Sequence, residues 1–139
     1  MADAAKKVGK ILVIDDELFF REMLKDTLVE GGFDVYTAKD GEEGVAMYKQ
    51  ILPDVVISDL IMPKKGGVST CTDISAHAAS VGEKPEIVLL TSMFKEDAHE
   101  HETAEMGTTI HMPKKSKPLD ILIMIEQLYN RKIARDRES

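Results

Sequence analysis

Short apolar runs alternate along the chain with longer amphipathic segments. The apolar runs predict five β-strands, at residues 11–14, 34–38, 54–58, 86–90 and 108–112. The amphipathic segments predict five α-helices, at residues 17–30, 42–51, 68–79, 95–105 and 118–131. A regular alternation of strands and helices indicates an α/β fold that is built on a parallel sheet.

Three of the predicted strands are nearly unbroken apolar runs, at residues 11–14, 54–58 and 86–90. Such strands are typical of a sheet that helices cover on both faces. Turn residues support the helix boundaries, because two glycines follow the first predicted helix and Pro118 begins the last. The pattern therefore predicts a doubly wound parallel sheet.

The size and composition of the chain are those of one globular unit. With 139 residues, 43% of them hydrophobic and 31% charged, the chain is expected to form a single domain over residues 1–139. No apolar stretch approaches the roughly 20 residues that a membrane-spanning helix requires. The N-terminal segment lacks the apolar core of a secretory signal, so we expect a cytoplasmic protein.

The net charge and the histidine and cysteine content argue against two further classes of function, nucleic-acid binding and transition-metal binding. The formal net charge is −7 and no basic stripe is present, so we expect no direct binding to nucleic acid and an output through a protein partner. Cys71 is the single cysteine and is expected to be a small buried residue. His99 and His101 lie two apart in a predicted helix and face different directions, which argues against a transition-metal site.

Polar residues gather where the predicted strands end. Asp15 and Asp16 follow the first strand, Asp59 follows the third, Thr91 the fourth and Lys114 the fifth. Ligands of open parallel sheets bind outside the carboxyl ends of the strands, so these side chains are expected to converge. Any one acid alone would be better explained as a helix cap or a loop charge.

Three carboxylates in one pocket repel each other unless a cation neutralises them. An oxygen-rich site with room for water suits Mg²⁺, which is the cofactor we expect. A carboxylate in such a site can attack a phosphoryl group and form an aspartyl-phosphate, while the metal and a lysine offset the charge of the transferred oxygens. The hydroxyl of Thr91 would complete the oxygen coordination.

Three motifs resemble the receiver domains of two-component response regulators, the CheY-like family. They are Ile-Asp-Asp-Glu at residues 14–17, Ser-Asp-Leu-Ile-Met-Pro at 58–63 with two glycines at 66 and 67, and Leu-Thr-Ser at 90–92. The resemblance covers about residues 9–131 and leaves 132–139 as a charged, frayed tail. It implies a flavodoxin-like fold, with a five-stranded parallel sheet of order 2-1-3-4-5 and five helices; this order is taken from the family.

The resemblance also implies roles for the acids. Asp59 would accept a phosphoryl group from a phosphohistidine on a sensor histidine kinase or a phosphotransfer protein. Asp16, Asp59 and the backbone carbonyl of Ile61 would bind Mg²⁺ directly, and Asp15 would hold a metal-bound water. The protein would then be a signalling switch that assists its own phosphorylation, and not a turnover enzyme.

Thr91 and one lysine would bind the phosphoryl oxygens, and Thr91 would move toward the phosphate when the domain switches. The family usually has a Lys-Pro pair here, and two lysines compete for the position. Counting without gaps reaches Lys114, whereas matching the dipeptide selects Lys117, before Pro118. We favour Lys114, because Pro118 then begins a helix. His111 stands where receivers commonly carry a switching aromatic, or is a half-buried residue of an edge strand.

Two further expectations concern lifetime and partners. Ile61 and Met93 occupy positions that influence water attack in receivers, and both are apolar, so we hypothesise slow self-dephosphorylation. The last predicted helix is apolar nearly all round, which suits either a thick core edge or a docking surface. In the family, the face of helix four, strand five and helix five carries dimer or effector contacts.

Other classes of function remain as alternatives. One is an Mg²⁺-dependent phosphohydrolase with Asp59 as nucleophile, although the second acid that it would need two residues later is replaced by Ile61. A nucleotide-binding Rossmann domain is weaker, because the turn after the first strand is acidic and has no glycine-rich loop. A receiver-like scaffold that is never phosphorylated is the third.

Overall fold

A computed structural model describes residues 8–92, 99–103 and 107–138. The strands are β1 (Lys10–Ile14), β2 (Asp34–Ala38), β3 (Val55–Asp59), β4 (Glu86–Thr91), β5 (His99–Thr103) and β6 (Gly107–Pro113). The helices are α1 (Leu18–Glu30), α2 (Gly41–Ile51), α3 (Gly67–Ser80) and α4 (Pro118–Glu138).

The strands form one sheet in the order β2-β1-β3-β4-β6-β5. The first five of these pair in parallel, and β5 pairs with β6 in antiparallel fashion. The predicted order 2-1-3-4-5 of the parallel strands is therefore confirmed. In the register, Ile14 lies opposite Ala38 on one side and Ser58 on the other, so the carboxyl ends of these strands meet at one edge.

The structure differs from the predicted helix at residues 95–105. Residues 99–103 form the edge strand β5, and the remaining positions of that prediction lie outside the described residues. The sequence His-Glu-His-Glu-Thr carries no apolar stripe that could pack a helix on the sheet, whereas an edge strand gains backbone hydrogen bonds from β6. The prediction of a helix is wrong over residues 99–103, and four helices lie in the described part of the chain.

Alternating side chains of the strands build a core on each face of the sheet. Ile11 and Val13 of β1 pack with one cluster, which includes buried residues of α1 and α4. Leu12 and Ile14 belong to the opposite cluster, with residues of α2 and α3. The predicted doubly wound arrangement is therefore confirmed. Cys71 is fully buried, as expected, and burial raises the pKa of its thiol to about 12.

Helix α4 begins at Pro118, as predicted, but ends at Glu138 and not at residue 131. Residues 132–138, expected to be a frayed tail, continue the helix, and Arg135 among them pairs with a buried carboxylate. Glu86, at the start of β4, is only 4% exposed and accepts hydrogen bonds from Arg131 at 2.7 Å and from Arg135 at 3.1 Å. These ion pairs hold the end of α4 against the amino end of the sheet.

The apolar residues of α4 divide between the core and the surface. Ile121, Ile125 and Leu128 are buried, whereas Leu119 and Ile123 remain 66% and 50% exposed. Some apolar side chains of α4 therefore pack in the core, and two, Leu119 and Ile123, remain exposed to solvent. Among the described helices, α4 included, none has the length and hydropathy needed to cross a membrane.

The double variant Arg131→Ala/Arg135→Ala is expected to lower the free energy of unfolding by about 3 kcal/mol, because it leaves the buried Glu86 carboxylate without its ion pairs. Urea denaturation followed by circular dichroism measures this change. Arg137→Ala removes an exposed arginine from the same helix and is the matched control, expected to change stability by less than about 0.5 kcal/mol. Equal stabilities of the two variants would contradict the proposed anchoring.

Candidate functional site

Four strands deliver polar side chains to one edge of the sheet. Asp15 and Asp16 follow β1, Asp59 is the last residue of β3, and Thr91 is the last residue of β4. Lys114 follows β6 directly. Because all four strands run in parallel, their carboxyl ends lie side by side, and the polar residues follow where each apolar run stops.

Three of these residues form a compact acidic cluster. One carboxylate oxygen from each of Asp15, Asp16 and Asp59 lies within 4.8 Å of the others. Asp15 and Asp59 are buried, at 1% and 8% exposure, while Asp16 is exposed. At an effective dielectric constant of about 20, two unit charges 4.8 Å apart repel by roughly 3.5 kcal/mol. The cluster therefore requires positive charge nearby.

Lys114 places its ammonium group among these acids. Its Nζ lies 3.0 Å from Oδ2 of Asp15 and 3.1 Å from Oδ2 of Asp59, and it also forms an ion pair with Glu17. The ring of Phe20 lies beneath the ammonium, 4.8 Å from Nζ to the ring centroid. One lysine thus joins the carboxylates of two strands.

Burial and charge act in opposite directions on the pKa values of this cluster. Burial alone would lower the pKa of Lys114, but hydrogen bonds to Glu17, Asp15 and Asp59 outweigh it and raise the pKa above the ordinary lysine value. Burial raises the pKa of Asp15, although the Glu17 N–H and the Lys114 ammonium oppose the shift. Lys114 therefore remains fully charged at neutral pH.

Of the two lysines that compete in the sequence, Lys114 is the one that the structure brings to the acids. Its backbone N–H donates to the carbonyl of Thr91 at 2.8 Å, which ties the start of the loop to the end of β4. Lys117 is exposed, and its carbonyl accepts the N–H of Ile121 in the first turn of α4. Thr91 itself is 1% exposed.

The loop after Asp59 folds back onto the strand that carries it. The N–H of Gly67 donates to the carbonyl of Leu60 at 2.8 Å, so the start of α3 lies against β3. A Cβ at Gly67 would lie 2.3 Å from the carbonyl oxygen of Asp59, which no side chain tolerates. The N–H of Ile61 points toward Oδ1 of Asp59, at 3.4 Å. Glycine at 67 thus fixes the loop that frames this carboxylate.

The sequence did not indicate a functional role for three residues that lie at the site: Glu17, Phe20 and Arg21. Glu17 pairs with Lys114, and Arg21 donates to the backbone carbonyl of Asp15 at 2.7 Å. Their spacing was the available signal, because Glu17 is the N-cap of α1 and Phe20 and Arg21 follow it by three and four residues, which places all three on one side of the first turn.

Three other positions were named from the sequence: His111, Met93 and Ile61. His111 is half-buried on β6, opposite Leu89 of β4. Met93 lies outside the described residues. The Ile61 side chain is 60% exposed at the mouth of the cluster.

The donor set of the acidic cluster fits a hard divalent cation. All three side chains offer carboxylate oxygens at a mutual distance that one ion can span. Oδ2 of Asp15 is buried, and its charged partner among the described residues is the Lys114 ammonium, at 3.0 Å. A site of this composition suits Mg²⁺ better than a nitrogen- or sulfur-seeking metal.

Comparison with known proteins identifies relatives of the chain. The family model described as the response regulator receiver domain matches residues 11–126. The probable transcriptional regulator ycf27 of Porphyridium aerugineum is 33% identical over 123 residues, which make up 88% of this chain and 48% of that protein. The chemotaxis protein CheY of Bacillus subtilis is 34% identical over 85 residues, 60% of this chain and 68% of that protein. The chain spans about half the length of the ycf27 relatives that it matches.

Solved structures show the same architecture. A response regulator receiver domain protein from Clostridium thermocellum superposes with a TM-score of 0.73 at 26% identity, over 91% of this chain and 98% of that one. The chemotaxis protein CheY4 of Vibrio cholerae superposes with a TM-score of 0.72 at 26% identity, over 88% and 99% of the two chains.

Gly67→Ala is expected to lower the free energy of unfolding by about 2 kcal/mol or more, because the new methyl group overlaps the Asp59 carbonyl. Thermal and urea denaturation measure the loss. Gly66→Ala is the matched control: its Cβ would have one neighbour, at 3.6 Å, and its backbone is extended, so little change is expected. If both variants were as stable as the wild type, the close approach of α3 to the Asp59 strand would be refuted.

Proposed function

Because the chain belongs to the response regulator receiver family, we propose that it is a phosphoacceptor switch in which Asp59 receives a phosphoryl group. The observation that carries the proposal is the position of the Asp59 carboxylate. It lies 3.1 Å from the Lys114 ammonium and within one ion's span of Asp15 and Asp16. Asp15 shares the lysine and the acidic cluster, but it is 1% exposed against 8% for Asp59, so Asp59 is the more accessible of the two to a donor.

The chemistry of the step follows from this arrangement. A carboxylate oxygen of Asp59 attacks the phosphorus of a phosphohistidine, the phosphorus–nitrogen bond breaks, and the electron pair leaves with the imidazole. Lys114 balances charge on the phosphoryl oxygens. Asp15, Asp16, Asp59 and the carbonyl of Ile61 would hold Mg²⁺, which supplies further positive charge to those oxygens when bound.

A route from the acceptor to the surface runs through Thr91. In this proposal the hydroxyl of Thr91 binds a phosphoryl oxygen and shifts toward it. The Thr91 carbonyl is bonded to the Lys114 N–H, so a shift of Thr91 moves the loop between β6 and α4. Phosphorylation then biases a two-state equilibrium and changes partner binding.

The partners follow from the same role. The phosphodonor is a sensor histidine kinase or a phosphotransfer protein. The downstream partner is a protein that binds the switched state of the domain. The predicted face of helix four, strand five and helix five requires revision, because β5 occupies part of the fourth helix's sequence. The surface proposed for partner binding is therefore the β6–α4 side, where Leu119 and Ile123 are exposed. The partner there is a downstream protein or a second copy of the chain.

The competing phosphohydrolase receives no support from the geometry. Its acid–base residue would stand two positions after the nucleophile, and the side chain there is the exposed, apolar Ile61. The domain is thus proposed as a switch with slow self-hydrolysis and not as a turnover enzyme.

Incubation with acetyl phosphate and Mg²⁺ is expected to add one phosphoryl group, about 80 Da, because the small donor presents the same reactive group as the kinase. Intact-mass spectrometry measures the gain. Asp59→Asn removes the nucleophile while keeping the side chain's size, and EDTA removes the metal, so neither sample should gain mass. Absence of a gain in the wild type would support the phosphorylation-independent scaffold.

The phosphorylated form is expected to persist for minutes or longer after the donor is removed, because the apolar Ile61 cannot orient an attacking water. Decay of the added mass after rapid desalting gives the half-time. Ile61→Gln introduces a hydrogen-bonding group of similar length and is expected to shorten that half-time. A wild-type half-time of a few seconds would contradict the hypothesis.

A further inference from the structure

Three of the four histidines of the chain lie on the paired strands β5 and β6. His99 and His101 are in β5, and His111 is in β6. A helix over residues 95–105 would turn His99 and His101 in different directions, which is why the sequence disfavours a transition-metal site. Residues 99–103 form a strand instead, and in a strand this objection does not hold.

The register of the strands brings these three histidines to one face of the sheet. Successive residues of a strand alternate between its two faces, so His99 and His101 share a face and are spaced about 7 Å along β5. His99 lies directly opposite His111 in the antiparallel pair of β5 with β6. Residues that lie directly opposite share a face, with Cβ atoms about 5 Å apart. We call His99, His101 and His111 the histidine group.

The histidine group is on the α3 face of the sheet, at the edge that β5 forms. Ile110 and Met112, the neighbours of His111 in β6, pack in the core cluster of the opposite face, with α1 and α4. Leu89 of β4 lies opposite His111 and packs with Cys71 of α3. The acidic cluster follows β1 and β3, and β4 separates β3 from β6. The two sets of residues are therefore distinct.

A buried hydroxyl lies beside the histidine group. Thr109 of β6 occupies the register position opposite His101. It is fully buried, and its Oγ1 has no hydrogen-bond partner among the described residues. Buried hydroxyls normally have a partner, and metal-binding histidines commonly donate their second ring N–H to a nearby oxygen. Thr109 is thus an acceptor available at the position where a metal-binding histidine would need one.

We propose that His99, His101 and His111 bind one divalent transition-metal ion of the Zn²⁺ type. Imidazole nitrogens suit Zn²⁺, Cu²⁺ and Ni²⁺, whereas Mg²⁺ prefers oxygen, so the histidine group and the acidic cluster select different metals. Three protein nitrogens leave the fourth position of a tetrahedral Zn²⁺ site to water or to another ligand. The ion would cross-link β5 to β6 and stabilise this edge of the sheet. The proposal does not depend on phosphorylation of Asp59.

Isothermal calorimetry with Zn²⁺ tests the site, at about pH 7.5, where histidines are mainly neutral. Excess Mg²⁺ is present, and Asp16→Asn is titrated as well, so that Zn²⁺ at the acidic cluster is recognised. The wild type and Asp16→Asn are expected to bind one Zn²⁺ equally well. His99→Gln, His101→Gln and His111→Gln should each weaken binding at least about tenfold, the smallest loss seen when even an indirect partner of a metal is removed. His77→Gln removes the fourth histidine, from α3, and should bind as the wild type does.

A second pair of variants tests the shared face. His101→Gln/Glu102→His keeps the number of histidines but moves one to the other face of β5, and is expected to lose tight binding. Glu102→Gln makes the same change of charge, keeps the histidine group and is expected to bind Zn²⁺ normally. Circular dichroism checks that all variants are folded. Equal binding by these two variants, no binding by the wild type, or binding that is lost in Asp16→Asn but kept in His99→Gln would overturn the proposal, and none of these results would bear on Asp59 as the phosphoacceptor.

Discussion

Mutual repulsion among three aspartates is the constraint on which the site depends. The parallel sheet brings carboxylate oxygens of Asp15, Asp16 and Asp59 within 4.8 Å, and two of these side chains are buried. Folding must therefore supply positive charge at this edge. Lys114 does so from the far side of β4, and its own charge is stabilised by the acids that it contacts. The arrangement holds the acids together while leaving oxygens for a metal.

The same lysine connects Asp59 to the rest of the fold. Its N–H is bonded to the Thr91 carbonyl at the end of β4, and its loop leads within four residues to Pro118 at the start of α4. Helix α4 packs in the core through Ile121 and is held at its other end by the ion pairs of Glu86. A change of charge at Asp59 would therefore act on the start of α4, while the other end of α4 is held by the Glu86 ion pairs. Rearrangement is expected at the β6–α4 loop.

The sequence predicts the order of the parallel strands and the convergence of the acids well, because one physical rule dominates there. Unbroken apolar runs followed by acids are enough to place Asp15 and Asp59 at one edge, because parallel strands align their ends. Prediction failed where tertiary contacts decide. Residues 99–103 have a polar sequence that suits a helix face or an edge strand, and pairing with β6 selects the strand. The end of α4 depends on Glu86, which lies some 45 residues before its partner Arg131.

Isothermal calorimetry with Mg²⁺ measures whether Asp15, Asp16 and Asp59 together bind one cation, as proposed above. We expect a saturable heat with one ion per chain in the wild type, and loss of that heat in both Asp16→Asn and Asp59→Asn. Asp26→Asn, on the exposed surface of α1, is the matched control and should bind as the wild type does. A wild type whose heats match those of Asp59→Asn would show that these aspartates do not form a cation site.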